Sequence, residues 1–237
     1  MIPVDAHNPV DDHNPVNAHN PVNPLHADAL AVLEGWTPPD DDQAALRATF
    51  VEHLRRRPRD GALLTCGPSH LTASGLVLET SGDRVLLTLH RKGNFWVQTG
   101  GHIEAGDQSL AAAALREATE ESGIEGLRLV RDEPVDLDRH TLSSAFGRCG
   151  EHLDVRFAFV APTGVEPVVS EESHDVAWFD VDALPPEAVA DLGRLVTAAR
   201  SALAATGRPR TAETEVSQAT GSSSDRSRPA VAETPSR

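Results

Sequence analysis

The chain has 237 residues, with 21 Lys plus Arg against 36 Asp plus Glu and a formal net charge of −15. That balance repels phosphate on average and excludes a protein held on nucleic acid or an anionic membrane by bulk electrostatics. A phosphate-bearing ligand would need a local remedy, and a divalent cation is the obvious one.

Hydrophobic residues at 39% and aromatics at 4% lie below the globular average, so part of the chain is expected not to fold. The start, Met1-Ile2-Pro3-Val4-Asp5, lacks the basic and apolar regions of a signal peptide. It opens a six-residue repeat: Asp5-Ala-His-Asn-Pro-Val10, Asp11-Asp-His-Asn-Pro-Val16 and Asn17-Ala-His-Asn-Pro-Val22. A proline in every repeat forbids helix and spoils a sheet ladder, and one valine per repeat cannot build a core. His7, His13 and His19 make a His-rich tract able to gather a transition metal, but the composition favours a solvated leader over residues 1–24. The other end, 207–237, is rich in Thr, Ser, Glu, Pro and Arg and reads as a disordered tail.

Between them the pattern predicts a helical segment, 25–60, and a main domain, 61–206. Leu25 to Trp36 has helical spacing at Leu30, Leu33 and Trp36, and Thr37-Pro38-Pro39-Asp40 breaks it. Asp41 or Asp42 then caps a second helix through Leu46, Phe50 and Leu54, with Arg55, Arg56 and Arg57 suiting its C-terminal dipole. Strands are expected at Ala73–Glu79, Arg84–His90 and Trp96–Gln98, separated by Ser81-Gly82-Asp83 and Lys92-Gly93-Asn94 turns. A helix from Ser109 to Ser122 follows, then strands near 127–130, 135–138, 153–161 and 176–180. A final helix is expected over Ala183 to Ala205, beginning after Pro185-Pro186. Helices flanking a mixed or antiparallel sheet make an α+β sandwich.

The two cysteines, Cys66 and Cys149, exclude a disulfide framework and a four-thiolate zinc site. No apolar run approaches the ~18 residues of a membrane span. A soluble cytoplasmic protein with ordinary thiols is expected, Cys66 being a core residue after its apolar run.

One segment carries chemistry: Gly100-Gly101-His102-Ile103-Glu104-Ala105-Gly106-Asp107, followed by Arg116-Glu117-Ala118-Thr119-Glu120-Glu121-Ser122-Gly123-Ile124. Glu117, Glu120 and Glu121 share one helical face, while Ala111, Leu115 and Ala118 share another that can pack on the sheet. Three crowded carboxylates can form a solvated stripe, raise one another's pKa, or bind a hard divalent cation. Gly100, Gly101 and Gly106 are expected in the tight loop from strand to helix, leaving carbonyl oxygens open as further ligands.

These residues resemble the Nudix box, the signature of hydrolases acting on nucleoside diphosphates linked to another group. The flanks Trp96-Val-Gln-Thr-Gly-Gly-His102 and His174-Asp-Val-Ala-Trp-Phe-Asp180 extend the resemblance over about 71–184. Two departures stand out: Asp107 where the family usually has Glu, and eight rather than seven residues between it and Arg116. The resemblance implies a Nudix-type α/β/α sandwich with a mixed sheet, here with N-terminal helices and disordered termini. It also implies Mg²⁺ or Mn²⁺ on Glu117, Glu120 and Glu121 with the Gly100 carbonyl, and Arg116 orienting the glutamates. The implied activity is water attack on a pyrophosphate linkage in a small nucleotide-type substrate. The rival is a non-catalytic module that binds a nucleotide and reports on it.

The implied general base is a box glutamate or a later loop acid, for which Glu171 and Glu172 stand before the Trp178-Phe179 strand. Arg91 and Lys92 offer phosphate contacts or merely an exposed strand end, and Trp96 a base-stacking or a core role. His90, His102, His140 and His152 include no pair at the spacing of the helical zinc motif, so no zinc is expected. The absence of Tyr, of a four-cysteine ribbon and of a matching proline (Pro134 is too close to the box) lowers three substrate classes: dinucleoside polyphosphates, NADH and ADP-ribose.

Overall fold

The computed structural model describes residues 23–143, 147–170 and 173–206. Residues 1–22 of the predicted leader, the tail 207–237 and the loop acids Glu171 and Glu172 lie outside the described residues.

Helix α1, Pro24–Gly35, starts with proline at its first position and with Asn23 accepting the Leu25 N–H. Helix α2, Asp41–Arg56, is capped by Asp40 rather than by Asp41 or Asp42: its Oδ1 accepts the Gln43 N–H at 2.8 Å. The two following aspartates complement the dipole from inside the first turn.

Eight strands are found among the described residues: β1 Ser69–Leu78, β2 Arg84–His90, β3 Trp96–Val97, β4 Thr99–His102, β5 Arg128–Leu129, β6 Asp136–Thr141, β7 Glu151–Val160 and β8 Ser173–Asp180. β1 and β7 run parallel along their whole lengths, and every other pair is antiparallel, so the sheet is mixed. Two helices pack on the sheet, α3 at Leu110–Ser122 between β4 and β5, and α4 at Leu192–Thr206 after β8.

Alternation along the strands builds two cores. Leu71, Ala73, Val77, Leu153, Val155, Phe157 and Phe159 join α3 on one face. Leu76, Leu78, Val85, Leu87, Ala158 and Val160 join Leu192, Leu195, Val196 and Ala199 of α4 on the other. This is the expected α/β/α sandwich. Helices α1 and α2 are not a separate layer, because Leu25, Leu33, Trp36, Phe50 and Leu54 belong to the α3-side core. Gln43 of α2 latches on the open edge of β6, donating to the Leu137 carbonyl at 3.0 Å and accepting its N–H at 2.8 Å.

Two further expectations fail for identifiable reasons. Gly100 and Gly101 are not loop residues; they lie in β4, paired with Ser74 and Ala73 of β1. The last helix begins at Leu192, not after Pro186. The backbone before it is held in turns around an isolated bridge from Ala188 to Trp96, with Trp96 N–H donating to the Glu187 carbonyl and Val189 N–H to the Trp96 carbonyl, both at 3.0 Å.

On the α4 face the strands also bury charge. Arg156, with its side chain 3% exposed, meets Asp154 at 2.9 Å, Asp138 at 3.1 Å, Asp136 at 3.3 Å and also Asp191. Asp154 in turn accepts from Thr72 at 3.0 Å and Ser74 at 2.8 Å. Arg194 of α4 closes the group onto Asp136.

Candidate active site

Helix α3 is held by caps at both ends. Ser109 Oγ accepts the Ala112 N–H, and Asp28 of α1 accepts the Leu110 N–H at 2.8 Å. At the far end Gly123 adopts φ +66°, the left-handed conformation that glycine alone takes without a Cβ penalty. The buried stripe is Leu110, Ala113, Ala114 and Ala118, one step round from the expected Ala111, Leu115 and Ala118, of which the first two are only partly covered. The helix is regular from Leu110 through Ser122, and residues 103–109 before it are irregular or turn.

Two of the three glutamates, Glu117 and Glu121, meet β4 directly. Glu121 Oε2 accepts the Gly100 N–H at 3.1 Å. A Cβ on Gly101 would stand 2.6 Å from the Glu117 carboxylate, so the strand has no side chain where the helix presents its acid. The two glycines therefore serve close approach rather than a turn.

Arg116 ties the group together. Its Nη1 donates to Glu117 at 2.8 Å and to Glu120 at 3.1 Å, and its Nη2 donates to the His102 carbonyl at 3.0 Å. Asp107 takes the other edge of the guanidinium, at 3.1 Å from Nε and 3.0 Å from Nη2. This bidentate clamp fixes the arginine. Sequence spacing could not reveal it, because Asp107 arrives from a loop with no helical period. The hydrogen bonds that Arg116 donates to Asp107, outweighing burial, hold its guanidinium above its usual pKa, so it stays charged. Burial works to raise the Asp107 carboxyl, but Arg116 and the Glu104 N–H outweigh it and hold it low.

Four carboxylates against one guanidinium leave this group formally at −3. Three of the acids also sit toward the C-terminal end of α3, where the helix dipole disfavours anions. Only the Glu120 side chain is largely exposed, at 60%, while that of Glu117 is 12% exposed. The donor set is all oxygen, converging on a bare strand backbone, which suits a hard divalent cation.

The other residues singled out stand on other elements of the fold. Arg91 and Lys92 are exposed in the turn between β2 and β3. Trp96 is partly buried against the α4-side core, its ring 4.7 Å from Phe179 edge to face. It is thus packed on the sheet face away from α3. Cys66 is buried, 6% exposed.

Asp107→Asn tests the clamp. A carboxyl held low in the folded state stabilises above its unfolded pKa of about 4, and that stabilisation is lost as pH falls through the folded value. The substitution is therefore expected to cost about 1.5–3 kcal/mol at neutral pH, the scale of a charged hydrogen bond, and progressively less below about pH 4. Urea midpoints at the two pH values check it; equal midpoints at neutral pH would refute the clamp.

The family model for the NUDIX domain matches residues 68–199. Solved structures with similar folds include a Nudix-family hydrolase from Clostridium perfringens, 23% identical over 57% of this chain and 97% of that one, with a TM-score of 0.45. An Ap4A hydrolase from C. elegans is 18% identical over 57% and 98% of the two chains, with a TM-score of 0.47. The E. coli dihydroneopterin triphosphate pyrophosphohydrolase is 20% identical over 53% and 90%, with a TM-score of 0.45. No curated protein matches the chain. The family model alone spans more than half of the 237 residues and contains the whole acidic helix, and on that ground this chain belongs to the Nudix family.

Proposed function

We propose that this protein is a metal-dependent hydrolase that cleaves a pyrophosphate linkage in a small nucleotide-type substrate. The observation that carries the reading is the approach of Glu121 and Glu117 to the Gly100-Gly101 backbone, with Arg116 joining Glu117 to Glu120 beside them. Glu117, Glu120 and Glu121, with the Gly100 carbonyl, would hold Mg²⁺ or Mn²⁺. When bound, such an ion supplies charge neutralisation at the phosphoryl oxygens and a more acidic water. Arg116 holds Glu117 and Glu120 in place without itself losing its proton, so the acceptor set is preorganised. The proton of the attacking water goes to one of these carboxylates or to Glu171 or Glu172. Arg91 and Lys92 supply phosphate contacts from the β2–β3 turn.

A cytoplasmic location is part of the same proposal. Both cysteines are free, and among the described residues no helix is long and apolar enough to cross a membrane.

The deciding experiment is a panel of nucleoside diphosphate derivatives and nucleoside triphosphates, assayed with Mg²⁺ and with Mn²⁺. Turnover of at least one member, abolished by chelation, is expected. Tight binding of one member without turnover of any would replace the hydrolase by a nucleotide sensor.

A further inference from the structure

Outside the acidic group, three histidines and a cysteine meet at the start of the parallel β1·β7 pair. His70 lies on β1, His152 directly opposite it on β7, and His102 on β4, opposite Thr72 of β1. Cys149 stands just before β7, in a turn tied to the start of β1: the Gly150 and Glu151 N–H groups both donate to the Pro68 carbonyl, at 2.8 and 3.0 Å. One ligand atom from each of the four lies within 4.8 Å of every other. Cys149 Sγ is 3.5 Å from His102 Nε2, and the three rings have centroids 5.0–5.3 Å apart.

Ring packing alone does not account for the arrangement. His70 is fully buried, and its Nδ1 contacts the Gly67 carbonyl at 3.0 Å. A carbonyl only accepts, so Nδ1 carries the proton and Nε2 presents a bare lone pair. That Nε2 is buried and has no hydrogen-bond partner among the described residues, and His152 Nε2 is in the same condition. Leaving a buried acceptor unmade costs about 1–3 kcal/mol, and native proteins rarely tolerate it. A metal-bound histidine typically has this arrangement: one ring nitrogen anchored to a carbonyl, the other pointing at the ion. His140, 5.3 Å from His152, is instead engaged with Asp138 at 2.8 Å and backs the group.

We infer that His70, His102, His152 and Cys149 form a second, structural metal site for a zinc-class ion, separate from the carboxylates of α3. Three imidazoles and one thiolate suit Zn²⁺ in tetrahedral geometry, whereas a magnesium-class ion requires oxygen. All four positions are filled by protein, as in sites that staple a fold rather than catalyse. Bonds of that kind put ligand atoms about 3.3–3.6 Å apart, so side-chain rotations of roughly an ångström close the cage. The absence of a helical zinc spacing does not bear on it, since the ligands come from three strands and a turn. The ion would pin the end of β4, whose His102 carbonyl receives Arg116.

The full chain, produced with zinc supplied and freed of loosely held metal, is expected to retain about one zinc per molecule by mass spectrometry. After exchange, Co²⁺ should give strong tetrahedral visible bands and a thiolate-to-cobalt charge-transfer band in the near ultraviolet. Cys149→Ser should abolish the charge-transfer band and weaken zinc retention at least ~10-fold, the lower end of what losing even a supporting partner costs. On the unaltered protein, zinc should shield Cys149 from alkylation and a chelator should expose it, whether or not the variant folds. Replacing His7, His13 and His19 together by Asn should leave stoichiometry and spectrum intact. A folded protein without retained zinc, a cobalt spectrum unaffected by Cys149→Ser, or loss of binding in the leader variant would each overturn the assignment. None of these readings depends on hydrolase activity.

Discussion

Glu121→Gln is expected to lower turnover by at least ~10²-fold, the scale lost with one electrostatic catalytic group, with little change in stability. Glutamine keeps an oxygen that can accept the Gly100 N–H, the contact made by Glu121 at 3.1 Å, so the helix-to-strand geometry should survive. What disappears is one unit of negative charge beside the bare β4 backbone. The same loss is expected for Glu120→Gln, whose exposed side chain contributes little to folding. Calorimetry with Mg²⁺ and Mn²⁺ separates the causes, because a ligand role requires weaker ion binding alongside slower turnover. Near-normal turnover in both variants would remove the carboxylates from the reaction.

The largest stability effect is expected at Arg156, far from that chemistry. Arg156→Met keeps the length and apolar stem but removes the only guanidinium in contact with Asp154, Asp136 and Asp138 together among the described residues. Burial alone would lower the arginine pKa; the surrounding carboxylates outweigh it and hold it above the usual value. Removing one partner of a buried ion network leaves charges uncompensated, at a cost of about 3–5 kcal/mol. In the variant the orphaned carboxyls bind protons more tightly folded than unfolded. The deficit should therefore be largest near neutral pH and shrink as pH falls toward about 4. Denaturant midpoints across that range check both size and sign, and a loss below about 1 kcal/mol at neutral pH would contradict the network's role.

The acidic box was legible in the residues because three glutamates on one helical face, bounded by caps, need no partner elsewhere in the chain to be recognised. Apolar periodicity likewise located every helix and most strands. It failed where backbone pairing overrode local pattern. Thr99–His102 has glycines that read as a turn, yet β1 supplies hydrogen-bonding partners and makes it a strand. The segment after Pro186 looks helical but is held in turns pinned to Trp96.

By itself the sequence determined the family, the sandwich and the helix that bears the acids, since each depends on residues close together in the chain. Tertiary structure alone decided what those residues touch. It set Asp107 against Arg116, Glu121 against Gly100, Arg156 among four aspartates, and three histidines beside Cys149. Such contacts join strands and loops whose separation along the chain carries no period, and only the pairing of the sheet brings them within bonding distance.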